Sequence, residues 1–232
     1  MPNWVFNYLT VEGSKEDIAK LKAQVGATVK TKYKSADEVD EEVDREPIFS
    51  FMNILPPPED KLEEYHAVHG YANGEKTGDT EYNWYNFNVR EWGTKWDVAV
   101  SEDDKHPDTY MEEAENGENY VVYYNFNTAW SRPLGAISKL SAQYPTLLFT
   151  LSYEEETGWG GEMEFLRGEV ISESEYDNIC RDCDATDQME YCDNDCGEIC
   201  GNCNWLGNAD LQAVATCQTH SVLLESKEKA EA

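Results

Sequence analysis

The chain has 232 residues, enough for one large domain or two small ones with a real hydrophobic core. Its 47 acidic residues outnumber its 18 Lys and Arg, which gives a net charge of −29, and 12% of its residues are aromatic. The charge disfavours direct binding of nucleic acid, and the aromatic content excludes a disordered acidic polymer. With no signal peptide and no apolar run of about 20 residues, the sequence predicts a soluble cytoplasmic protein outside membranes.

The N-terminal segment predicts a strand followed by a helix. Residues 4–11 (WVFNYLTV) are rich in β-branched and aromatic types. One face of this strand carries Val5, Asn7, Leu9 and Val11. In the next segment Ser14 predicts the helix cap, Asp17 completes an approximate capping box, and Gly26 ends the helix. The apolar face of this helix comprises Ile18, Leu21 and Val25.

The next segment predicts an exposed region and then a second strand. Residues 30–46 are charge-dense and favour an exposed loop or a solvated helix. Residues 48–55 (IFSFMNIL) predict a strand that ends at three consecutive prolines. His66 and His69 have the spacing to reach one metal ion from a helix, but the pair lacks a third ligand nearby, so an ordinary surface helix is the preferred interpretation.

Residues 81–104 are dense in large aromatic side chains and have two interpretations. Val89, Trp92 and Trp96 fit one face of a short helix that Gly93 would weaken, and a brief strand follows. Packing in a core is the preferred interpretation, because large aromatic residues dominate cores generally. The alternative is a ligand pocket lined by Trp84, Trp92, Trp96 and Trp130.

The second half predicts a strand, a helix and a hairpin after an acidic linker at 102–118. Residues 119–130 (NYVVYYNFNTAW) form the strand, and Ser131 caps the following helix. The helix points Ile137, Leu140 and Tyr144 inward. The segments TLLFTLSYEEE and GGEMEFLRGEVIS then form the hairpin. This order repeats that of the first half, which predicts two related halves at about 1–101 and 119–175.

Three segments of this body resemble a known family. They are MPNWVFNYLTVEG, NWYNFNVREWGTKWD and FNTAWSRPLGAISKLSAQYPTLLFTLSYEEETGWGGE. Together they are similar to the YubB-type, ferredoxin-like proteins of phages and plasmids, over residues 1–175. The resemblance implies an α+β fold of ferredoxin-like units, with an antiparallel sheet and helices on one face, encoded on a mobile element. It implies no catalytic residue.

The seven cysteines and His220 follow that body and form four pairs with metal-ligand spacing. The motifs are C-x2-C, C-x3-C, C-x2-C and C-x2-H, formed by Cys180, Cys183, Cys192, Cys196, Cys200, Cys203, Cys217 and His220. Eight such ligands suffice for two tetrahedral zinc ions, and four thiolates around zinc typically form a closed structural site. The spacing therefore predicts one or two structural zinc ions in a module at residues 176–222, followed by a flexible tail at 223–232.

The pairing of these ligands is open, and so is their chemistry. The first and third pairs share one zinc in an interleaved scheme, which the length of the loop between Cys183 and Cys200 favours, whereas a sequential scheme joins neighbouring pairs. Disulfides are the alternative in an oxidising compartment. The aspartates among the cysteines suggest calcium, but the Gly-centred loop that calcium requires is missing from the sequence.

The functional prediction rests on charge and on the resemblance, since the sequence lacks the nucleotide-binding, hydrolase-elbow and zinc-protease motifs. We expect a phage- or plasmid-encoded acidic protein that binds and inhibits a basic host protein of a defence or nucleic-acid-handling system. Its candidate patches are Asp37–Glu46, Glu102–Glu118 and the hairpin acids Glu154, Glu155 and Glu156. The alternatives are a small-molecule-binding domain or enzyme with the Trp-lined pocket, and a zinc-dependent adapter.

Overall fold

Strand β1 (Trp4–Gly13) lies inside a six-stranded sheet, between β7 (Asn119–Ala129) and β8 (Leu148–Glu155), and is antiparallel to both. The remaining strands are β2 (Val29–Lys34), β3 (Asp40–Arg45), β4 (Gly70–Ala72), β5 (Glu75–Thr77), β6 (Tyr110–Asn116), β9 (Gly160–Leu166), β10 (Glu169–Tyr176), β11 (Met189–Tyr191) and β12 (Glu198–Cys200). The helices are α1 (Lys15–Val25), α2 (Leu62–Tyr65), α3 (Trp84–Phe87) and α4 (Leu134–Gln143).

This computed structural model describes residues 3–34, 40–66, 70–72, 75–77, 80–98, 109–116, 119–176, 189–191 and 198–200. The chain divides into two units, residues 1–156 with 161–174 and residues 157–160 with 175–232. The domain boundaries expected at residues 175 and 222 stay predictions. Within the described residues, no helix is long and apolar enough to cross a membrane.

The large sheet is antiparallel and has the strand order β10-β9-β8-β1-β7-β6. Its central part follows the chain order β1, α1, β6, β7, α4, β8 and the spatial order β8-β1-β7-β6, which is a βαββαβ arrangement of the ferredoxin-like kind. Strands from both predicted halves therefore share one sheet. Residues 26–109 form a long insertion between α1 and β6, and β9 and β10 extend the sheet beyond β8.

The predicted inner face of β1 is confirmed. Val5, Asn7, Leu9 and Val11 are all buried. Their neighbours across the sheet include Tyr124 and Phe126 on β7 and Phe149 and Leu151 on β8. Helices α1 and α4 contribute Ile18, Leu21, Val25, Ile137 and Leu140 to the same core. We call this side of the sheet the covered face.

The two long helices begin in different ways. The Ser14 side chain accepts a hydrogen bond from the Asp17 amide at 3.2 Å, which confirms the predicted cap of α1. The predicted cap of α4 is wrong, because Pro133 occupies the cap position and the Ser131 hydroxyl instead donates to the Gly93 carbonyl at 2.5 Å. That bond ties the chain before α4 to the insertion.

Most of the described residues of the charge-dense segment 30–46 form strands, so the prediction of a loop or a helix was wrong for them. Strands β2 and β3 pair as an antiparallel hairpin around the undescribed residues 35–39. The register sets basic residues against acidic ones at Lys30↔Asp44, Lys32↔Glu42 and Lys34↔Asp40. Opposite charges directly across a strand pair, as at Lys30↔Asp44, are stabilising.

Residues 48–55 do not form the predicted strand. Residues Phe51–Asn53 form a single 3-10 turn, and the Asp97 carboxylate accepts hydrogen bonds from the amides of Phe51 and Met52 at 2.6 and 3.3 Å. A side chain thus takes the place of a neighbouring strand as acceptor. The rings of Phe49 and Phe126 stack at 5.1 Å, so this apolar segment joins the covered face.

The predicted helical face of Val89, Trp92 and Trp96 is wrong. Helix α3 is followed by a π-helical turn at Asn88–Trp92, which changes the angular spacing of the side chains, and Gly93 then adopts a left-handed conformation with φ 87°. Trp92 is buried, whereas Val89 and Trp96 are exposed. The brief strand expected after them falls largely outside the described residues.

Two further segments differ from expectation. Residues 110–116 of the predicted linker form the edge strand β6, which pairs with β7 from Tyr110↔Asn125 to Asn116↔Asn119. The segment GGEMEFLRGEVIS is two strands, β9 and β10, because Arg167 and Gly168 both have positive φ (57° and 83°) and make a tight turn. The surface helix near His66 is the single turn α2, and His69 lies outside the described residues.

Candidate binding surface on the sheet

The side of the sheet opposite the covered face carries aromatic and acidic residues. Because side chains alternate along a strand, the residues next to the buried ones in β1 point to this second side. We call it the tyrosine face and define it by Phe6, Tyr8, Thr10, Tyr110, Glu112, Tyr123, Asn125, Asn127, Ser152, Glu154 and Glu162. A hydrogen bond from the Ser152 hydroxyl to Glu162 at 2.8 Å places Glu162 on this side.

The register arranges six of these residues in two adjacent rows. Tyr8 and Tyr110 both lie opposite Asn125, so Asn125 is between them. In the next row, Thr10 and Glu112 both lie opposite Tyr123. The two rows border a shallow depression of about 240 Å³, which we call the tyrosine depression.

The rim of the tyrosine depression is exposed and its centre is buried. Tyr8, Tyr110 and Tyr123 are 50%, 44% and 40% exposed, respectively. Asn125, between two of these rings, is only 9% exposed. Such large aromatic side chains on neighbouring strands offer flat faces to a ligand without a change in the fold. The depression is therefore a preformed surface feature.

The charge on the tyrosine face has one sign. Its glutamates are at outward positions of β1, β6, β8 and β9, and comprise Glu12, Glu112, Glu154, Glu162 and Glu164. At the outward positions of β1 and β6–β9, the part of this side that the structure describes, no Lys or Arg occurs. Glu12 accepts a hydrogen bond from the Asn119 amide at 2.7 Å, but a neutral donor leaves its charge uncompensated.

On the covered side of the edge strand β6, the glutamates are paired with lysines. Glu113 forms an ion pair with Lys22 of α1, and Glu115 lies 3.9 Å from Lys15. Lys15 also lies 4.9 Å from the centre of the Tyr120 ring. Within one strand, alternate glutamates thus face lysines or face the tyrosine depression.

Buried amides add to the polar character of the tyrosine face. Asn127 is 7% exposed, and within the described structure neither its amide oxygen nor its amide nitrogen has a hydrogen-bond partner. Asn7, on the covered face, donates instead to the Val5 carbonyl at 2.9 Å and to the Thr128 hydroxyl at 2.9 Å. Buried polar groups without partners are uncommon, and they are found at sites that receive a ligand or water.

Burial raises the pKa of three titratable side chains on the covered face or in the insertion, and one of them, Tyr124, also lines the tyrosine depression. Burial raises the pKa of Tyr65 and of Tyr124, and the Tyr124 hydroxyl is among the buried groups without a partner. Burial also raises the pKa of Asp97, although hydrogen bonds from Ser50 and backbone amides oppose the change. These groups support the covered face and the insertion.

The three hairpin acids proposed as an interaction patch do not share one surface. Glu154 and Glu156 are exposed, but Glu155 is 2% exposed and lies opposite Val5 on the covered face. The prediction that all three form one interaction patch was therefore wrong. Glu154 belongs to the tyrosine face, where it lies opposite Phe6.

The four tryptophans proposed for a pocket separate into one core residue and three surface residues. Trp92 is buried, and its indole nitrogen donates to the Leu55 carbonyl at 2.8 Å. The other three belong to a continuous series of ring contacts. This series is Trp84–Tyr85 at 5.8 Å, Tyr85–Trp130 at 6.4 Å, and Trp130 and Trp96 at 4.1 and 4.5 Å from the Lys95 ammonium.

This tryptophan cluster differs from an empty aromatic cage. The Lys95 ammonium lies over both Trp96 and Trp130, so the protein's own cation occupies the position that a cationic ligand would take. Trp130 has a positive φ of 71°, and its amide donates to the Asn3 carbonyl at 2.9 Å. That local conformation places an exposed ring beside Lys95.

The predicted zinc ligands fall almost entirely outside the described residues. Cys200 is the last residue of β12 and pairs with Met189 of β11. The other proposed ligands, Cys180, Cys183, Cys192, Cys196, Cys203, Cys217 and His220, are not described. Among the described residues, no group of three or more His, Cys, Asp or Glu side chains is arranged to hold a metal ion. The zinc prediction stays a prediction.

Sequence reasoning missed the tyrosine depression, although a signal was present. The outward positions of β1 begin with Trp4, Phe6 and Tyr8 before Thr10 and Glu12, so the first half of this strand carries large aromatic residues on its second side. A strand with one solvated face normally alternates apolar and polar residues. Aromatic residues on the second face therefore indicated a surface with a binding role.

The comparisons with known proteins agree with the sheet topology. The model of a family described as "Ferredoxin-like domain in Api92-like protein" matches residues 95–193, which contain β6 to β11 and α4. These residues are therefore similar to the ferredoxin-like domain of Api92-like proteins. The crystal structure of a protein Api92 from Yersinia pseudotuberculosis is similar to this chain, with a TM-score of 0.43 and 10% sequence identity, over 76% of this chain and 98% of that one. No curated protein matches the chain.

Proposed function

We propose that this chain binds a basic protein through its tyrosine face, and that it acts as an inhibitor of a host protein for a phage or plasmid of the YubB-type group. One observation carries the proposal. The outward positions of β1 and β6–β9 hold five glutamates and no Lys or Arg. Since ion pairs neutralise glutamates on the other side of β6, the charge on the tyrosine face is available to a partner.

The net charge and the local surface act at different distances. A net charge of −29 attracts a basic protein from beyond contact distance and speeds association. Contact then places cationic side chains against carboxylates and tyrosine rings, which adds cation–π attraction. The global charge sets the rate of encounter, and the tyrosine face sets where the partner docks.

The same charge explains the expected mode of inhibition. Proteins that bind nucleic acid carry basic surfaces that displace the counterions of phosphates. An acidic, aromatic surface that covers such a region competes with the nucleic acid, while it repels nucleic acid itself. We therefore expect the partner to be a basic, nucleic-acid-handling protein of the host.

Charge reversal tests the location of binding. The double variant Glu112→Lys and Glu154→Lys reverses two charges on the tyrosine face. The matched control, Glu59→Lys and Asp60→Lys, makes the same net change at two exposed residues on the insertion. Proteins retained from host extract by the wild-type chain and by the control, but lost with the tyrosine-face variant, are the expected partners. Their affinity falls as salt rises, because ions screen exposed charges over about 8 Å at physiological ionic strength.

Two results would contradict the proposal. If both double variants weaken binding equally, bulk charge alone attracts the partner and the tyrosine face has no special part in binding. If the retained partner is indifferent to salt and to both variants, its contacts are not electrostatic. The tryptophan cluster, in which Trp96 and Trp130 are exposed and Trp84 is partly buried, then becomes the better candidate surface.

A zinc-dependent adapter is a second candidate, supported by the β11–β12 hairpin. Antiparallel pairing of Tyr191 with Glu198 brings together the ends of the segment that contains Cys192 and Cys196. The C-x3-C spacing of Cys192 and Cys196 suits two thiolates that bind one ion. Metal analysis of protein purified without chelator should find about one to two zinc ions per chain, and less than half an equivalent would contradict it. Replacement of Cys203 by Ser should lower zinc content without loss of the sheet.

A further inference from the structure

We infer that the tyrosine depression receives the guanidinium group of an arginine side chain from the basic partner. This inference rests on the proposed function and adds the chemical group that the surface recognises. The depression is bordered by Tyr8, Tyr110 and Tyr123, with Glu112 at one end of its second row. Aromatic faces together with one carboxylate match a planar cation.

The size of the depression fits one side chain. Its volume of about 240 Å³ is below the range of about 300 to 1,000 Å³ typical of pockets for drug-sized ligands and cofactors. The depression is also shallow, and its aromatic rim is 40 to 50% exposed. A long side chain that projects from a protein surface can reach such a site, whereas a small molecule would keep much of its surface in water.

The arrangement of acceptors favours arginine over lysine. Glu112 and Thr10 flank Tyr123 on opposite sides, and Asn125 lies in the neighbouring row on the same strand as Tyr123. Their carboxylate, hydroxyl and amide oxygens therefore accept hydrogen bonds from different directions. A guanidinium group has five N–H donors in one plane and stacks on aromatic rings, whereas an ammonium group is a compact point charge.

Charge complementarity on the page identifies the occupant as cationic. Among the described residues, no Lys or Arg lies within ion-pair distance of Glu112, although Glu113 and Glu115 of the same strand each have a lysine. The exposed rings of Tyr110 and Tyr123 likewise attract a cation through their negative faces. A carboxylate with no ion-pair partner among the described residues, beside aromatic rings, therefore suits a positive group supplied by a partner.

Two peptides that differ only in their cation test the inference. One alternates Arg with Ser and the other alternates Lys with Ser, at equal length and charge, and both are titrated into the full chain by calorimetry. Wild-type protein should bind the Arg peptide about fivefold more tightly, as expected for aromatic stacking at an exposed site. Tyr123→Leu should remove this preference and change affinity for the Lys peptide by less than about twofold.

Replacement of one glutamate by glutamine on each side of β6 provides the matched control. Glu112→Gln should weaken binding of the Arg peptide about tenfold, because it removes the carboxylate that meets the guanidinium group. Glu115→Gln removes the same charge from the other side of β6 and should change affinity less than about twofold. Melting temperature and far-UV circular dichroism check that each variant folds.

The results separate the inference from the function on which it rests. Equal affinity for the Arg and Lys peptides, or an Arg preference that survives Tyr123→Leu, overturns the arginine site. If the Glu112→Lys and Glu154→Lys variant still loses the host partner in that case, the proposed function stands without it. If wild-type protein binds neither peptide at low salt, both the arginine site and the proposed function are wrong.

Discussion

The two faces of the large sheet differ in the burial of their aromatic rings and in the pairing of their glutamates. On the covered face, aromatic rings such as Phe126 are buried against Phe49, and Glu113 of β6 meets Lys22 of α1. On the tyrosine face, Tyr8 and Tyr123 are half exposed. Glu112, the neighbour of Glu113 in β6, has no lysine within ion-pair distance among the described residues. The glutamate charges on the covered side of β6 are thus paired within the molecule, whereas Glu112 on the other side has no ion-pair partner among the described residues.

This difference shows that the net charge of the protein does not describe its surface. Acidic residues occur on both sides of the sheet, and alternation along β6 decides which of them are neutralised. Surface ion pairs contribute little stability, so the lysines of α1 serve mainly to remove charge from the covered side. The uncompensated glutamates are then concentrated on one face, where electrostatic steering is effective.

Removal of an aromatic ring from each face should give the largest difference in the free energy of unfolding. Phe126→Ala deletes a fully buried ring and should lower the free energy of unfolding by about 3 to 5 kcal/mol. Tyr123→Leu, at a half-exposed position of the same strand, should change it by about 1 kcal/mol or less. Urea unfolding of both variants measures the contrast. Equal losses would mean that Tyr123 is part of the core and is not available to a ligand.

Two buried asparagines provide a sharper comparison. Asn7 donates hydrogen bonds to two carbonyls and one hydroxyl, so Asn7→Ala should lower the free energy of unfolding by about 1 to 3 kcal/mol. Asn127 makes no hydrogen bond in the described structure, and Asn127→Ala should alter stability by only about 0.5 kcal/mol. A large loss at Asn127 in urea unfolding would show that its amide is already engaged.

Neighbouring glutamates of β6 should respond differently to neutralisation. Glu113→Gln breaks the pair with Lys22 and should lower the free energy of unfolding by up to about 1 kcal/mol at low salt. Glu112→Gln removes a charge that lies among other carboxylates, and it should leave stability unchanged or slightly raise it. Thermal melts in low and high salt distinguish the two, since the loss at Glu113 should shrink as salt rises. The reverse order would contradict the proposed division of charge.

The smallest effect concerns the attachment of α1 to the chain before β8. The Thr146 hydroxyl donates to Asp17 at 2.8 Å, and this hydrogen bond lowers the pKa of Asp17 from its ordinary value of 3.8. A lowered folded-state pKa gives stabilisation that is present above pH 3.8 and is lost as the pH falls through the lower value. Wild-type protein should therefore exceed Thr146→Val in stability at about pH 7, with the difference gone at about pH 2.

Local patterns in the sequence were sufficient for the elements that build the covered face. Alternation predicted the buried side of β1, and spacing together with the Ser14 cap predicted α1. The same reasoning failed for residues 48–55, because an apolar segment can be buried by aromatic contacts and by the Asp97 carboxylate without a strand partner. It also failed for residues 110–116, where an acidic composition concealed an edge strand.

By itself, the sequence determined the strong acidity, the strands and helices with clear periodicity, and the α+β class that they imply. The tertiary structure alone decided that Tyr8, Tyr110 and Tyr123 meet around Asn125 and that Glu112 lies beside them. Strand β1 ends at Gly13, far in sequence from β6 and β7, which begin at Tyr110 and Asn119. Periodicity reports only which residues of one strand share a side. Which strands become neighbours depends on long-range pairing, and the register of that pairing fixes which side chains meet.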